Sequence, residues 1–470
     1  MLGCAMIYRL ACLVTALLLA ACADVGMRPY ARPSVPAKTA WANSASLPLS
    51  KAELIAPDWW HAFRDPYLDQ LVSRALAGNF DLAVLAARIG VANAQIGEAR
   101  AGALPTLDAG AGASFEKVTG QPFTKQFNLA TQTNWDIDIW GKVEKGVQAQ
   151  KAGFSATEAD WRAGYLKLVS DVSTTYFQIL QFDEQTAQQQ QTLARNRDIL
   201  TTYQAMEQNG LIPHTRVLQQ SAEVNRLGTE LIELQRLRAL ASNALATLIG
   251  VPAGDFQMPA GRLQERVRVP DVPGGLPSQL LKRRPDVVAA EYRVLEAYDL
   301  TGQAKLAQLP SISLTGRGGT SSFALSTLLK SFTFGLLPSI NFPILDPGVK
   351  ARVRTSEAQT KVAEQAYRQT VMAAFEDVEN ALVNLEAHKK QRTELQQQVD
   401  QLRLVASTTD AQRKEGVASQ LEVFETERSL LGAQLALLAN QQQILSDTVT
   451  LYKALGGGWP PVEVADAAQH

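Results

Sequence analysis

The sequence predicts an α+β membrane protein in which pairs of short β-strands alternate with very long helices. Four segments of roughly ten residues alternate between apolar and polar side chains, which is the signature of transmembrane barrel strands. Two stretches without proline, 142–208 and 349–415, are each long enough for a helix of more than sixty residues. The chain also aligns with itself, so these strands and helices are predicted to form two structural repeats.

The strand pattern is clearest over about 127–140, where odd positions are mostly apolar and even positions mostly polar. Such alternation is typical of a strand with one apolar and one polar face. The apolar face carries Phe127, Leu129, Trp135, Ile137 and Ile139, and the polar face carries Asn128, Gln132, Asn134, Asp136 and Asp138. The same alternation predicts strands over about 105–117, 310–322 and 332–345.

In the last predicted strand, Phe334 belongs to the apolar face and Asn341 to the polar face. We therefore expect Phe334 to face lipid and Asn341 to face the lumen of a barrel. Taken alone, the four segments favour a soluble β-sandwich, because the barrel pattern of a single segment is weak. The long helices reverse that preference, since a β-sandwich does not contain helices of this length.

Composition excludes several classes of function. The 470 residues carry 45 Lys and Arg against 46 Asp and Glu, with no basic stretch suited to a phosphate backbone, so we expect no nucleic-acid partner. The three cysteines, Cys4, Cys12 and Cys22, lie at the N-terminus, and the four histidines are far apart. This leaves no catalytic or metal-ligating constellation, and we expect neither an enzyme nor a cofactor. No apolar run reaches the roughly eighteen residues that a membrane-spanning helix needs.

Residues 1–21 are predicted to be a lipoprotein signal peptide. Its apolar run ends in Leu19-Ala20-Ala21-Cys22, which is similar to the bacterial lipobox, where the chain is cut before the cysteine. We therefore expect Cys22 to carry a diacylglycerol and an N-acyl chain. Ala23, rather than Asp, follows this cysteine, which predicts export to the outer membrane. Residues 22–65 are rich in Pro, Ala and Ser and are expected to form an extended tether.

The repeat relates residues 66–262 to residues 276–459, with a C-terminal tail over 460–470. Pro105 aligns with Pro310, an offset of 310 − 105 = 205. Each copy is predicted to start with a helix that stops at a Leu-Pro pair, because proline cannot continue a helix but fits the first position of a strand. Two strands follow, and a long helix comes after them.

Each repeat is predicted to end in a helical hairpin, over 142–250 and over 349–456. The glycines that precede and turn these hairpins are Gly141 and Gly210 in the first repeat and Gly348 and Gly416 in the second. At 1.5 Å per residue the longer helices would reach about 90–100 Å. That length is several times the thickness of a bilayer core.

Narrow apolar seams on the long helices indicate coiled-coil packing, with the remaining faces in water. The seams are Leu166, Val169, Val172, Tyr176 and Ile179 in the first repeat and Val371, Phe375, Val378, Leu382 and Leu385 in the second. The glutamine-rich runs 188–191 and 396–398 are expected on the solvated faces.

Together these residues resemble the TolC family of outer-membrane efflux channels, in its lipid-anchored OprM/NodT-like branch. The resemblance extends over nearly the whole mature chain. Its motifs are the lipobox at Cys22, WDIDIWG over 135–141, LPSQLLKRRPD over 276–286, PILDPG over 343–348 and LYKALGGGW over 451–459. The pair Asp346-Pro347 departs from the family's usual pattern and predicts a local difference in turn shape.

The resemblance implies a homotrimer in the bacterial outer membrane, with a twelve-strand β-barrel and an α-barrel of hairpins that extends into the periplasm. It also implies partners: outer-membrane lipid, a periplasmic adaptor and an inner-membrane pump of the RND type. Drugs or other small toxic solutes would then pass through passively. The resemblance assigns the hairpin tips Gly210, Leu211, Gly416 and Val417 to adaptor docking, and Leu421, Glu425 and Arg428 to a periplasmic gate.

The residues alone, without the resemblance, account for only part of these expectations. Four strands cannot close a barrel, and open strand edges are not tolerated in hydrocarbon, so at least two chains must share it. The two tip glycines fit plain turns equally well, and Glu425 with Arg428 also fits an exposed pair on one helix face. Alternative functions are the channel of a type I protein secretion system and a periplasmic adaptor lipoprotein. An adaptor would show one hairpin rather than two.

Overall fold

The structure, a computed structural model, describes residues 29–36, 38, 40–42, 55–272, 277–460 and 462. The predicted signal peptide, Cys22 and most of the predicted tail lie outside these residues. In each half of the chain two helices are followed by two strands and then by two further helices.

The first half contains α1 (Pro66–Gly78), α2 (Phe80–Ala101), β1 (Thr106–Glu116), β2 (Thr124–Ile137), α3 (Lys142–Gln208) and α4 (His214–Leu248). A short helix, α5 (Leu263–Arg266), lies between the halves. The second half contains α6 (Pro277–Arg283), α7 (Pro285–Leu306), β3 (Ser311–Ser322), β4 (Thr333–Asn341), α8 (Pro347–Lys414) and α9 (Gln420–Ala454). Short 3₁₀ helices span Trp59–Phe63 and Leu325–Lys330. With 67 and 68 residues, α3 and α8 are each about 100 Å long.

Side chains at their N-termini fix the start of the first two helices. The Asp65 carboxylate accepts a hydrogen bond from the Tyr67 N–H at 2.9 Å, and Pro66 takes the first helical position. Asn79 caps α2 in the same way, accepting from the Leu82 N–H at 2.9 Å. These two helices are bent by 45° relative to each other, and only as a pair do they reach the length and apolar character of a membrane span. No single helix among the described residues does so.

The four strands form one antiparallel sheet in the order β1-β2-β3-β4. All four connections to helices leave from the same end of the sheet, and the two strand-to-strand loops close the other end. The first and last strands lie at the edges, and each has one side unpaired within the chain. The sheet is therefore incomplete in a single chain.

The strand ends differ from the predicted ones. The strand expected over 127–140 begins at Thr124 and ends at Ile137, and the one expected over 332–345 begins at Thr333 and ends at Asn341. Asp138, predicted on the polar strand face, instead accepts hydrogen bonds from the N–H groups of Val143 and Glu144. Capping the first turn of α3 thus takes precedence over continuing the strand.

The two glycines predicted to precede the long helices are not equivalent. Gly141 has a left-handed backbone, with φ of 73°, and is the N-cap of α3. Gly348 lies inside α8, which was wrongly predicted to begin after it. Asp346 is the N-cap there, because its carboxylate accepts from the Val349 N–H at 3.0 Å and Pro347 fits the first helical position.

The predicted seams form the core of the helical part. All ten seam residues are buried in one continuous cluster, and Val172, Tyr176, Val371 and Val378 are fully enclosed. The solvated position expected for the glutamine run 188–191 is wrong for Gln189. This side chain is fully buried between α3 and α4 and donates to the Leu227 carbonyl at 3.0 Å.

Candidate functional site

The strand register divides the sheet into an apolar and a polar face. Residues directly opposite one another share a face. On one face Leu107, Thr133, Gly316 and Leu336 lie in one row across the four strands. The neighbouring row, Asp108, Gln132, Arg317 and Gly335, lies on the other face.

Phe334 and Asn341 fall on opposite faces, as their parity predicts. Phe334 lies opposite Gly318 on the apolar face and is 73% exposed in the single chain. Asn341 lies opposite Ser311 on the polar face. The polar face is hydrogen-bonded across its strands, for example between the Ser313 and Ser339 hydroxyls at 2.7 Å. One face of the sheet thus suits hydrocarbon and the other suits water.

The hairpins turn at their far ends in the same way in both repeats. After α3, the Gly210 N–H donates to the Glu207 carbonyl at 2.8 Å and the Leu211 N–H donates to the Met206 carbonyl at 2.9 Å. After α8, Gly416 donates to Arg413 at 3.0 Å and Val417 donates to Gln412 at 2.9 Å. This pair of bonds is the Schellman motif, which requires a left-handed residue. The backbone φ is 72° at Gly210 and 78° at Gly416.

Each tip presents an apolar side chain directly after its glycine. Leu211 is 69% exposed and Val417 is 75% exposed. The returning helices start differently. At the second tip Ser419 and Glu422 form a reciprocal capping box, and the Ser419 N–H lowers the pKa of the Glu422 carboxyl. At the first tip Nδ1 of His214 lies 2.7 Å from the Glu207 carboxylate.

The three predicted gate residues lie on α9 shortly after the second tip. Arg428 donates to the Glu425 carboxylate at 2.7 Å, and both side chains are more than half exposed. Leu421 is 61% exposed, whereas Val423 between them is buried. The gate residues therefore point away from the packed side of α9. In the single chain Glu425 and Arg428 form an intrahelical ion pair, and their arrangement as a ring around an axis stays a prediction.

A contact that sequence reasoning missed joins this part of α9 to the first repeat. Arg195 on α3 forms an ion pair with Glu427 at 3.3 Å. Beside it Leu193, Leu227 and Leu431 form a buried cluster that joins α3, α4 and α9. The helix that carries the predicted gate is thus held to the first hairpin by both charge and apolar contact.

The charge of Arg428 also reaches the first hairpin. The pKa of Glu223 on α4 is lowered, first by a hydrogen bond from Arg226 and further by the positive charge of Arg428. The positive charge of Arg428 therefore acts on α4 as well as on its own helix.

The chain before the first helix crosses α7 and α8. Arg32 donates to the Glu291 carboxylate of α7 at 2.6 Å, and Arg368 of α8 donates to the Ser34 carbonyl at 3.1 Å. Burial lowers the pKa of the Arg32 guanidinium, but the hydrogen bond to Glu291 and the negative charge of that carboxylate together outweigh burial, so the pKa is raised. The described part of the tether is thus fastened to helices of the second repeat.

A sheet with one apolar face, continued at one end by very long hairpins, defines a subunit of an outer-membrane channel. The sequence profile of the family described as "Outer membrane efflux protein" matches residues 71–251 and 276–457, one match in each repeat. The chain belongs to this family.

Several proteins are similar over most of their length. The chain is 31% identical over 425 residues to the pyoverdine export outer membrane protein OpmQ of Pseudomonas putida, which covers 87% of this chain and 90% of that one. It is 28% identical over 462 residues to the probable outer membrane lipoprotein SilC of Salmonella typhimurium, covering 96% and 99%. The open state of the Neisseria gonorrhoeae MtrE outer membrane channel superposes with a TM-score of 0.82 at 29% identity, covering 92% and 98%.

The protein is accordingly an outer-membrane exit channel of an efflux system and not an enzyme. As in its structural neighbours, three chains form the channel, and their strands complete one barrel of twelve. An efflux system of this kind also comprises a periplasmic adaptor and an inner-membrane pump.

Proposed function

We propose that the protein is the exit duct of a tripartite pump of the RND type, and that its hairpin tips are the surface that the periplasmic adaptor binds. The supporting observation is the repetition of one turn geometry: both tips end in a Schellman motif followed by an exposed apolar side chain. Threefold symmetry places six such turns at the periplasmic end of the channel. An adaptor with a repeated contact surface could therefore bind the same turn geometry at six places.

The cargo that we propose is a small toxic solute, such as a drug. Relatives are named for the export of pyoverdine and for efflux pumps of toluene and antibiotics. These names favour small solutes over the protein cargo of a type I secretion channel. The chain conducts passively, and the pump in the inner membrane supplies the energy.

Placing a carboxylate at the tips tests the docking surface. Leu211→Asp and Val417→Asp should leave the trimer intact, because both side chains are exposed in the single chain. Burying an ionised carboxylate under an adaptor costs more than the roughly 1–3 kcal/mol of an unpaired neutral polar group, so the affinity for the adaptor should fall at least about fivefold. We expect the dye accumulation of cells that rely on this channel to rise, and chemical cross-linking to the adaptor to fall.

Val118→Asp provides the control, since Val118 is exposed in the loop at the opposite end of the sheet. Efflux should be normal in this variant. Normal efflux and cross-linking in both tip variants would show that the adaptor binds elsewhere.

We also propose that Cys22 carries the lipid anchor. The tether supports this, because it is fastened to the second repeat at Arg32, which is 32 − 22 = 10 residues after Cys22. Cys22→Ser should block cleavage by the lipoprotein signal peptidase and remove the acyl chains. Intact-mass measurement of the purified protein detects both the uncleaved signal peptide and the missing acyl chains. A Cys12→Ser variant should have the processed, lipidated mass, and a lipid-free wild-type protein would refute the anchor.

A further inference from the structure

A single charged side chain lies on the apolar face of the sheet. Within the four strands, all of whose residues the structure describes, the register places Asp108, Glu116, Asp136 and Arg317 on the polar face. Lys125 alone shares the apolar face, directly opposite Phe115. A cation on a lipid-facing surface is costly at the bilayer midplane and tolerated near the interfaces, so its height in the membrane decides what it does.

Lys125 lies at the level of the outer interface. All α-helices that adjoin the sheet leave from its other end, so the loop between β1 and β2 is the extracellular one. Trp135, near the inner end of β2, is 135 − 125 = 10 residues away on the same face. Ten residues span about 34 Å along a strand, or about 25 Å across a membrane at the usual barrel tilt. That is the height of the apolar band of such barrels, so Trp135 marks its inner border and Lys125 its outer border.

The Lys125 ammonium group lies beside one ring of a group of three packed aromatic rings. The rings of Phe115 and Phe123 are stacked with centroids 6.4 Å apart, and Phe127 meets Phe115 edge-on at 6.1 Å. Nζ of Lys125 lies 5.8 Å from the centre of the Phe123 ring. We call Phe115, Phe123, Lys125 and Phe127 the outer cluster. Within the described part of the chain, Lys125 forms no ion pair with a carboxylate.

We propose that the outer cluster binds a phosphorylated lipid of the outer leaflet, with the Lys125 ammonium group on the phosphate and the rings against the first methylenes of the acyl chains. Charge complementarity favours this occupant, because the carboxylate nearest in β1, Glu116, faces the lumen instead. Lys117, just beyond β1, adds a second positive charge at the same rim and is held there by a 2.9 Å bond from Nζ to the Gln121 carbonyl. Aromatic rings at this depth suit the boundary between headgroup and acyl chain.

Native mass spectrometry of the full-length trimer tests this proposal. The trimer in neutral detergent is titrated with diphosphorylated lipid A, and the bound lipid is counted. One lysine near an anionic lipid contributes about 1 kcal/mol, so Lys125→Gln should weaken binding about fivefold. Lys125→Arg should retain it, and added salt should weaken it in the wild type. Lys361→Gln, on the exposed surface of α8, is the matched control and should bind like the wild type.

Three results would overturn the proposal. Equal binding of lipid A by Lys125→Gln and by the wild type would show that Lys125 does not contribute to the site. Equally tight binding of dephosphorylated lipid A would show that the site does not recognise the phosphate. Displacement of lipid A by an equal concentration of inorganic phosphate would make this a site for free anions. Because the readout is lipid binding, it is independent of whether the tips bind an adaptor.

Discussion

Replacing Phe334 with arginine will sharply reduce the yield of folded trimer in the outer membrane. Phe334 lies on the apolar face opposite Gly318, which in turn lies opposite Thr131 near the middle of β2. An arginine facing lipid at this height costs about 2–4 kcal/mol per chain, and each trimer contains the substitution three times. The yield can be read from membrane fractions on gels that preserve the trimer.

Asn341→Arg is the companion variant for this experiment. Asn341 lies on the polar face of the same strand, where a guanidinium stays in the water-filled lumen. Its trimer yield should stay close to that of the wild type. Equal losses in the two variants would mean that the faces of β4 are assigned the wrong way round.

Removing the charged pair of α9 will raise the conductance of the channel. Three Glu425 carboxylates brought close to one axis would repel one another unless donors such as Arg428 satisfy them. The pair is already formed in the single chain at 2.7 Å, and Leu421 on the same side would add an apolar constriction. We expect Glu425→Ala and Arg428→Ala to loosen this end and to increase single-channel conductance in planar bilayers. Cation preference should change as well, because a ring of carboxylates selects for cations.

The chain offers a closely matched control for the gate. Glu233 and Arg236 on α4 form an ion pair with the same spacing, at 2.6 Å and with similar exposure. Alanine at either position should leave conductance and selectivity unchanged. If the Glu425 and Arg428 variants behave like these controls, the pair on α9 is an ordinary surface ion pair and the constriction lies elsewhere.

The sequence was most informative where side-chain periodicity decides the structure. Period-two alternation placed Phe334 and Asn341 on opposite faces, and the heptad-like spacing of the seams identified the buried side of α3 and α8. Periodicity was less informative at the strand ends. Asp138 continues the alternation in the sequence, yet its carboxylate caps α3.

Long-range contacts of polar residues could not be predicted in this way. Gln189 belongs to a polar run but occupies an inward position of α3, where it finds a backbone carbonyl partner. Arg195 and Glu427 are 232 residues apart, and nothing in their local sequence pairs them. Such contacts depend on how whole helices are placed side by side, which local patterns do not encode.

The unpaired edges of the four-strand sheet have a genetic consequence. Each chain supplies only part of the barrel. A chain with a defective β4 therefore still has an intact β1 edge, and it can assemble with intact chains through that edge. In a cell that makes both intact and defective chains, trimers form from them at random. The fraction of trimers with three intact chains is then the cube of the fraction of intact chains. Lesions confined to the strand edges should therefore be dominant. Lesions that prevent the chain from reaching the membrane should be recessive.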